Sequence, residues 1–154
     1  MNKLQAEAKA NELMELHGIT EKGWIFVFDN AKSRYGCCKH RYKQITLSQY
    51  MLPHMADSDI IDTILHEIAH ALVGRGNGHN WIWRRKAREI GCKAQRCGSK
   101  IKDRSKITYK WTGTCPNGHV SNRHKLTKRS RNCSCGRCSD KYNPEFKFDW
   151  VENH

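Results

Sequence analysis

The stretch that decides the reading is Thr63-Ile64-Leu65-His66-Glu67-Ile68-Ala69-His70-Ala71-Leu72-Val73. Ile61, Ile64, Leu65, Ile68 and Leu72 recur at helical spacing, so the segment reads as an amphipathic helix. It opens at the Asp57-Ser58-Asp59 cluster after Pro53 and closes at Gly74. Two histidines four residues apart share one face, about one turn apart. Both imidazoles can therefore reach one Zn²⁺ at about 2.0–2.1 Å. Glu67 stands about 100° around the helix from His66. From there it can take a proton from a zinc-bound water as that water attacks a carbonyl, without being a ligand. The pattern is that of a zinc peptidase.

A catalytic zinc needs a third protein ligand and an open position. His79 and Glu89 are the two candidates. His79 follows Gly74, Gly76 and Gly78, which let the chain turn back toward the helix. Glu89 lies on the following helix, which begins near His79-Asn80 with Asn80 as N-cap and runs through Trp81 to Ile90 before Gly91.

Upstream, residues 2–17 are rich in Ala, Glu, Lys and Leu, with Leu4, Ala8, Leu13 and Leu16 as the expected packing face and Gly18 as the stop. Trp24-Ile25-Phe26-Val27-Phe28 reads as a strand broken by Asp29-Asn30. Arg34 to Cys38 and Gln44 to Leu47 read as two more strands, giving a small sheet. Cys37 and Cys38 are neighbours on a strand and point to opposite faces, so they do not share a metal and at least one is expected to act as a small buried hydrophobe. Arg34 and Tyr35 are candidates for stabilising an oxyanion.

Composition changes after Gly91. Lys and Arg number 28 against 15 Asp and Glu, a net charge of +13. Residues 1–83 hold nine basic and nine acidic residues, so the whole excess lies in 84–154. Such a half expects a polyanionic partner, most simply nucleic acid, with an affinity that falls steeply with salt. Four residues in that half have zinc-ligand spacing: Cys115 and His119 on one Gly-containing turn, Cys135 and Cys138 on another. Cys133 competes with His119 as the remaining ligand. Cys92 and Cys97 lack a partner pair. Arg123, Lys125, Lys128, Arg129 and Arg131 lie between or beside these turns and suit phosphate contact, while Tyr109 and Trp111 can stack on bases. Phe146 to Trp150 alternates like a final strand.

The first residues are charged and lack the apolar core of a signal peptide, and no apolar run approaches the roughly 20 residues that span a bilayer. The expected setting is intracellular, cytoplasmic or nucleoid-associated (host cytoplasm if viral), not secreted. Clustered cysteines there favour zinc over disulfides.

The chain resembles the SprT-like, Spartan-related family of zinc metalloproteases. The resemblance rests on Gly36-Cys37, Ile45-Thr46-Leu47-Ser48, Thr63 through Leu72, Gly78-His79-Asn80, Trp83 and Arg88-Glu89-Ile90-Gly91. It implies that the third zinc ligand is the histidine of the Gly-His pair, His79. It implies an α+β fold: a compact zincin-like metalloprotease domain of helices and a small sheet, expected over residues 1–98. A basic zinc-ribbon β module is expected over 99–154, with His119 where a second Cys often stands. The implied cofactors are one catalytic and one structural Zn²⁺. The implied activity is endopeptidase cleavage of proteins bound or crosslinked to DNA. Two alternatives stand beside it: a nucleic-acid-binding zinc protein with little protease activity, and a dedicated, viral or other, processing protease.

Overall fold

The computed structural model describes residues 1–95 and 107–154. Cys97 and the expected boundary between residues 98 and 99 lie outside the described residues. The chain divides into two compact units, Met1–Arg104 and Ser105–His154, and the architecture is α+β. Among the described residues no helix is long and apolar enough to cross a membrane.

In the first unit, α1 (Lys3–Leu16) starts at Asn2, whose side chain accepts from the Gln5 N–H while Gln5 returns the bond to the Asn2 N–H. This reciprocal cap satisfies two of the helix's orphan donors. The helix ends at Gly18, which takes φ +64°. Its buried face is Ala6, Ala10, Leu13 and Met14, which shares only Leu13 with the expected set. Leu4 and Leu16 are exposed. This face recurs at spacings of four, three and one, and α1 packs on α2 and β1.

Three strands follow: β1 (Ile25–Asp29), β2 (Gly36–Lys39) and β3 (Gln44–Ser48). Their order is β1-β3-β2, with β3 parallel to β1 and antiparallel to β2. The central β3 is the buried one, from Ile45 to Ser48. Asp29 was expected to break β1 but pairs with Ser48 as its last residue. Its carboxylate accepts from the Thr46 hydroxyl at 2.8 Å, the Ala31 N–H at 3.0 Å and Arg34 at 2.6 Å, so an acid is held at a strand end by three donors. Gly36 pairs with Leu47 on the β2 side of the sheet.

Helix α2 (Asp57–Val73) packs against α1, β2, β3 and α3 (Trp81–Glu89). From Asp62 to Ala69 every residue is buried, so its polar side chains lie inside the unit rather than on a wet face. The helix closes at Gly74, and the side chain of Asn77 donates to the Val73 carbonyl at 2.6 Å. Gly74, Gly76 and Gly78 all take positive φ, a conformation that costs a side-chain-bearing residue about 1 kcal/mol or more. The return they make leads directly into α3. Asn80 caps α3 by accepting from the Trp83 N–H at 3.1 Å. Past its end the Lys93 N–H donates to the Asp62 carboxylate at 2.8 Å, tying the exit of α3 to α2.

The second unit is a three-stranded antiparallel sheet, β5-β4-β6, of β4 (Trp111–Thr114), β5 (Val120–Arg123) and β6 (Asp149–Glu152). The last strand starts three residues later than expected. Pro144–Phe146 form a 3-10 turn capped by Asn143, and Lys147 makes an isolated bridge to Ser134. A single-turn helix, α4 (Lys128–Arg131), was not expected; Thr127 and Ser130 cap one another to close it. Gly113 faces Trp150 across the ladder, and a Cβ there would lie 2.7–2.8 Å from the indole. Buried hydrophobic residues here are few: Ile107, Cys115 and Cys135.

Candidate metal centres

The buried turn of α2 projects His66 and His70, and the glycine return brings His79 back over them. The Nε2 atoms of His66 and His79 are 2.9 Å apart, and those of His70 and His79 are 3.2 Å apart. Four-coordinate zinc with nitrogens at about 2.05 Å would set them about 3.3 Å apart, so the spacing fits within a few tenths of an ångström. Two imidazoles can share one proton between facing nitrogens, but three that converge cannot satisfy one another; a cation does so. Burial, then His79 and His40, push the His70 pKa down to about 4, so its ring is neutral and keeps a lone pair at physiological pH.

Trp83 forms the floor of this cup. It is fully buried, and its ring centroid lies 4.6 Å from His66, 5.1 Å from His70 and 4.6 Å from His79, stacked on His70 and edge-on to His79. Sequence reading placed Trp83 only within a family pattern. Its position four residues after His79 is the signal that could have found it.

Glu67 is buried beside the cup, on the side of α2 that meets β2. A Cβ on Gly36 would stand 3.1 Å from the Glu67 Cγ, 2.9 Å from the Thr63 methyl and 2.8 Å from the Thr46 carbonyl oxygen. Gly36 is therefore glycine because β2 lies directly against the helix at this carboxylate. Cys38 is nearby: burial, then Glu67 and Cys37, push its thiol up to about 12, and its sulfur lies 3.6 Å from His40. Cys37 and Cys38 are each half-buried rather than core residues, and both remain thiols at neutral pH.

Glu89, the rival third ligand, is exposed at the end of α3 and pairs with Lys86 at 2.7 Å. Arg34 is engaged with Asp29 and stands on the strand side of the unit. The Tyr35 carbonyl accepts from the Ser48 N–H at 2.7 Å. Cys92 is buried with its sulfur 3.8 Å from the Asp62 carbonyl.

A second cluster lies in the second unit. Cys115 and His119 flank the β4–β5 turn, and Cys135 and Cys138 flank the turn after α4. The His119 Nδ1 lies 3.6 Å from Cys115, 3.5 Å from Cys135 and 3.3 Å from Cys138, and the Cys115 and Cys138 sulfurs are 3.9 Å apart. A tetrahedral zinc would set sulfur–sulfur edges near about 3.8 Å and sulfur–nitrogen edges near about 3.5 Å. Asn117 adds an N–H to the Cys138 sulfur at 3.3 Å. Cys133 stays outside, its thiol on the Ser130 carbonyl at 3.0 Å.

Arg123, Lys125, Lys128, Arg129 and Arg131 are all exposed. Tyr109 stacks on His124 at 4.7 Å and Arg131 covers Trp111 at 5.6 Å, so both aromatics have protein partners. Beside them a cleft of about 510 Å³ is lined by Trp111, Arg131, Lys147, Phe148 and Trp150.

No curated protein and no solved structure matches the chain. The profile of the SprT-like family does match it, over residues 6–106, which contain most of α1, the three-stranded sheet and all three converging histidines. The chain belongs to the SprT-like family.

Proposed function

We propose that the first module, residues 1–98, is a zincin-like zinc endopeptidase, and that the second, residues 99–154, is a basic zinc ribbon that brings it to proteins bound or crosslinked to DNA. The observation that carries the peptidase reading is the meeting of three imidazole nitrogens within 2.9 and 3.2 Å on a buried helix, one residue from a buried carboxylate. His66, His70 and His79 would hold the ion. Bound there, zinc supplies a Lewis acid that polarises the scissile carbonyl and eases ionisation of the attacking water. Trp83 fixes the three rings so that their lone pairs stay aimed at one point. The Glu67 carboxylate accepts the proton of the attacking water and returns it to the departing amine. Gly36 lets β2 run close past that carboxylate, which keeps bulk water off one side of it.

In the second module Cys115, His119, Cys135 and Cys138 would hold a structural zinc, which replaces the apolar core that so few buried residues can supply. Its exposed Arg123, Lys125, Lys128, Arg129 and Arg131 suit phosphate contact, and the aromatic cleft beside Trp111 suits an unpaired base.

The test is Glu67→Gln, which keeps shape and volume. The variant is expected to bind as much zinc as the parent and to lose about 10²–10⁴-fold in cleavage of a DNA-bound protein. Undiminished cleavage by Glu67→Gln sinks the mechanism. The second reading, a nucleic-acid-binding zinc protein, is favoured by the concentration of all excess positive charge after residue 83. It gains if the zinc-loaded parent binds DNA yet cleaves neither itself nor DNA-bound proteins.

A further inference from the structure

Helix α3 has two unlike sides. At about 100° per residue, Trp83 and Ala87 fall together and are buried, Trp83 against the histidine cup. Trp81, Arg84, Arg85 and Arg88 fall within an arc of about 100° on the opposite side, and all four are exposed. Trp81 is 67% exposed, which is unusual for the largest apolar side chain. The Arg85 guanidinium lies over the Trp81 ring at 5.5 Å, so the two are already arranged side by side. The helix has one acid, Glu89, and Lys86 takes it at 2.7 Å. Among the described residues no ion pair engages Arg84, Arg85 or Arg88.

We propose that this face of α3 is a nucleic-acid-binding site on the metalloprotease unit itself, with Arg84, Arg85 and Arg88 on backbone phosphates and Trp81 stacked on an unpaired base. It deepens the DNA part of the function proposed above and rests on it. The row from Trp81 to Arg88 spans about 10 Å, the length of about three phosphates on one strand. Guanidinium groups match phosphate in a bidentate fork, and an exposed indole offers a stacking platform to any base. An anionic membrane is the other polyanion to weigh. A helix that lies in a lipid surface needs a whole apolar face for the acyl region. The apolar face of α3 is already spent on the core, which leaves Trp81 alone for insertion.

The placement matters because the same helix contributes Trp83 to the metal cup. Nucleic acid would then be held on the far side of the element that forms the cup's floor, in addition to any contact made by the ribbon.

The experiment uses the full chain, zinc-loaded and carrying Glu67→Gln, so binding is read without cleavage. A fluorescein-labelled 20-nucleotide single strand is titrated by anisotropy from 50 to 200 mM KCl. Three backgrounds are compared: unchanged; Arg84→Gln with Arg85→Gln and Arg88→Gln; and Gln at Arg123, Lys125, Lys128, Arg129 and Arg131. Zinc content and circular dichroism verify that each remains folded. The α3 variant is expected to bind at least tenfold more weakly at 100 mM salt. Its log–log salt slope is expected to be shallower by about 2–3, at about 0.7–0.9 per lost phosphate contact. Lys at the same three positions is expected to restore most of the slope. A wild-type slope in the α3 variant, with loss only in the ribbon variant, overturns the proposal and leaves the ribbon reading standing. No binding in any background overturns both. Sedimentation with phosphatidylglycerol vesicles that depends on the α3 arginines, without an effect on the oligonucleotide, assigns the face to lipid and also overturns it.

Discussion

Gly36→Ala adds one methyl group, and the structure says where it goes. Its Cβ would stand 2.8 Å from the Thr46 carbonyl oxygen, 2.9 Å from the Thr63 methyl and 3.1 Å from the Glu67 Cγ. None of these neighbours yields easily. Thr46 lies in the middle of β3, paired to a strand on each side. Thr63 is β-branched, stiff at χ1, and its hydroxyl is bonded to the Asp59 carbonyl at 2.7 Å. The relief must come from β2 backing away from α2, or from Glu67 turning. Overpacking of this kind costs about 1–3 kcal/mol. Alanine recovers about 0.4–1 kcal/mol by restricting the unfolded chain, so the net loss is about 1–2 kcal/mol. For a unit of this size that lowers the unfolding midpoint by roughly 4–15 °C. Cleavage should fall further than the folded fraction does, because misplacing a reacting group by a fraction of an ångström is itself costly. Calorimetry with saturating zinc measures the first effect, and turnover of folded protein at low temperature measures the second. Gly136→Ala is the control: its Cβ meets nothing within 4 Å and its φ is not positive, so only the unfolded-chain effect remains and the midpoint should hold or rise slightly. If Gly36→Ala matches the parent in midpoint and turnover, the close approach of β2 to Glu67 is not what confines this position to glycine.

Metal analysis of the purified chain should give two zinc ions, and one each for His79→Ala and Cys138→Ser; a single zinc in the parent removes the two-site reading. Trp83→Leu should weaken zinc at the histidine site about tenfold or more in chelator competition and alter the visible spectrum of the cobalt-substituted site, with Trp83→Phe in between; unchanged affinity and spectrum would reduce Trp83 to core filling. Burial alone would raise the Asp29 pKa, but the Ala31 N–H, the Thr46 hydroxyl and Arg34 outweigh it and hold the carboxyl below its ordinary value. A depressed folded-state pKa gives stability that is present above the unfolded value near 3.8 and lost as pH falls through the folded one. The stability gap between parent and Asp29→Asn should therefore narrow in urea titrations as pH drops from 5 toward 3, and a constant gap would refute the assignment. Cys38, with its thiol pushed up to about 12, should react with iodoacetamide at pH 8 far more slowly than an ordinary cysteine; fast labelling would show that Glu67 and burial do not hold it protonated.

What could be read in advance was what spacing alone determines. His66, Glu67 and His70 are fixed by helical geometry, and the Cys115–His119 and Cys135–Cys138 pairs by the size of a turn. The glycines at 74, 76 and 78 foretold the return that brings His79 back. What spacing does not determine was read less well. The face of α1 turned because packing on α2 and β1 buried Ala6 and Ala10 rather than the larger Leu4 and Leu16, a tertiary preference invisible to a one-helix pattern. Asp29 joined its strand because the Thr46 hydroxyl reaches it from the neighbouring strand while the Ala31 amide and Arg34 fold back on it from the turn that follows. Trp83 and Gly36 were within quoted motifs, yet their work, flooring the imidazoles and letting a strand touch α2, exists only once distant segments meet.

The burial of α2 has a consequence for how such chains diverge. Asp62, Thr63, His66 and Glu67 occupy some of the least accessible positions of the unit, where an apolar side chain would contribute most to cohesion. Replacing a buried set of mutually bonded charged groups by well-packed hydrophobic ones of similar volume is often neutral or stabilising by about 1–4 kcal/mol. Under the proposed peptidase function, selection for the reaction would hold His66 and Glu67 against a standing pull toward leucine and methionine, while Asp62 and Thr63 have structural partners in the Lys93 N–H and the Asp59 carbonyl. A descendant relieved of the chemistry would drift down that slope, gaining heat resistance as it lost its histidines. Under that proposed function, an apolar residue at position 66 or 67 of a relative would mark loss of the chemistry, readable from sequence before any assay.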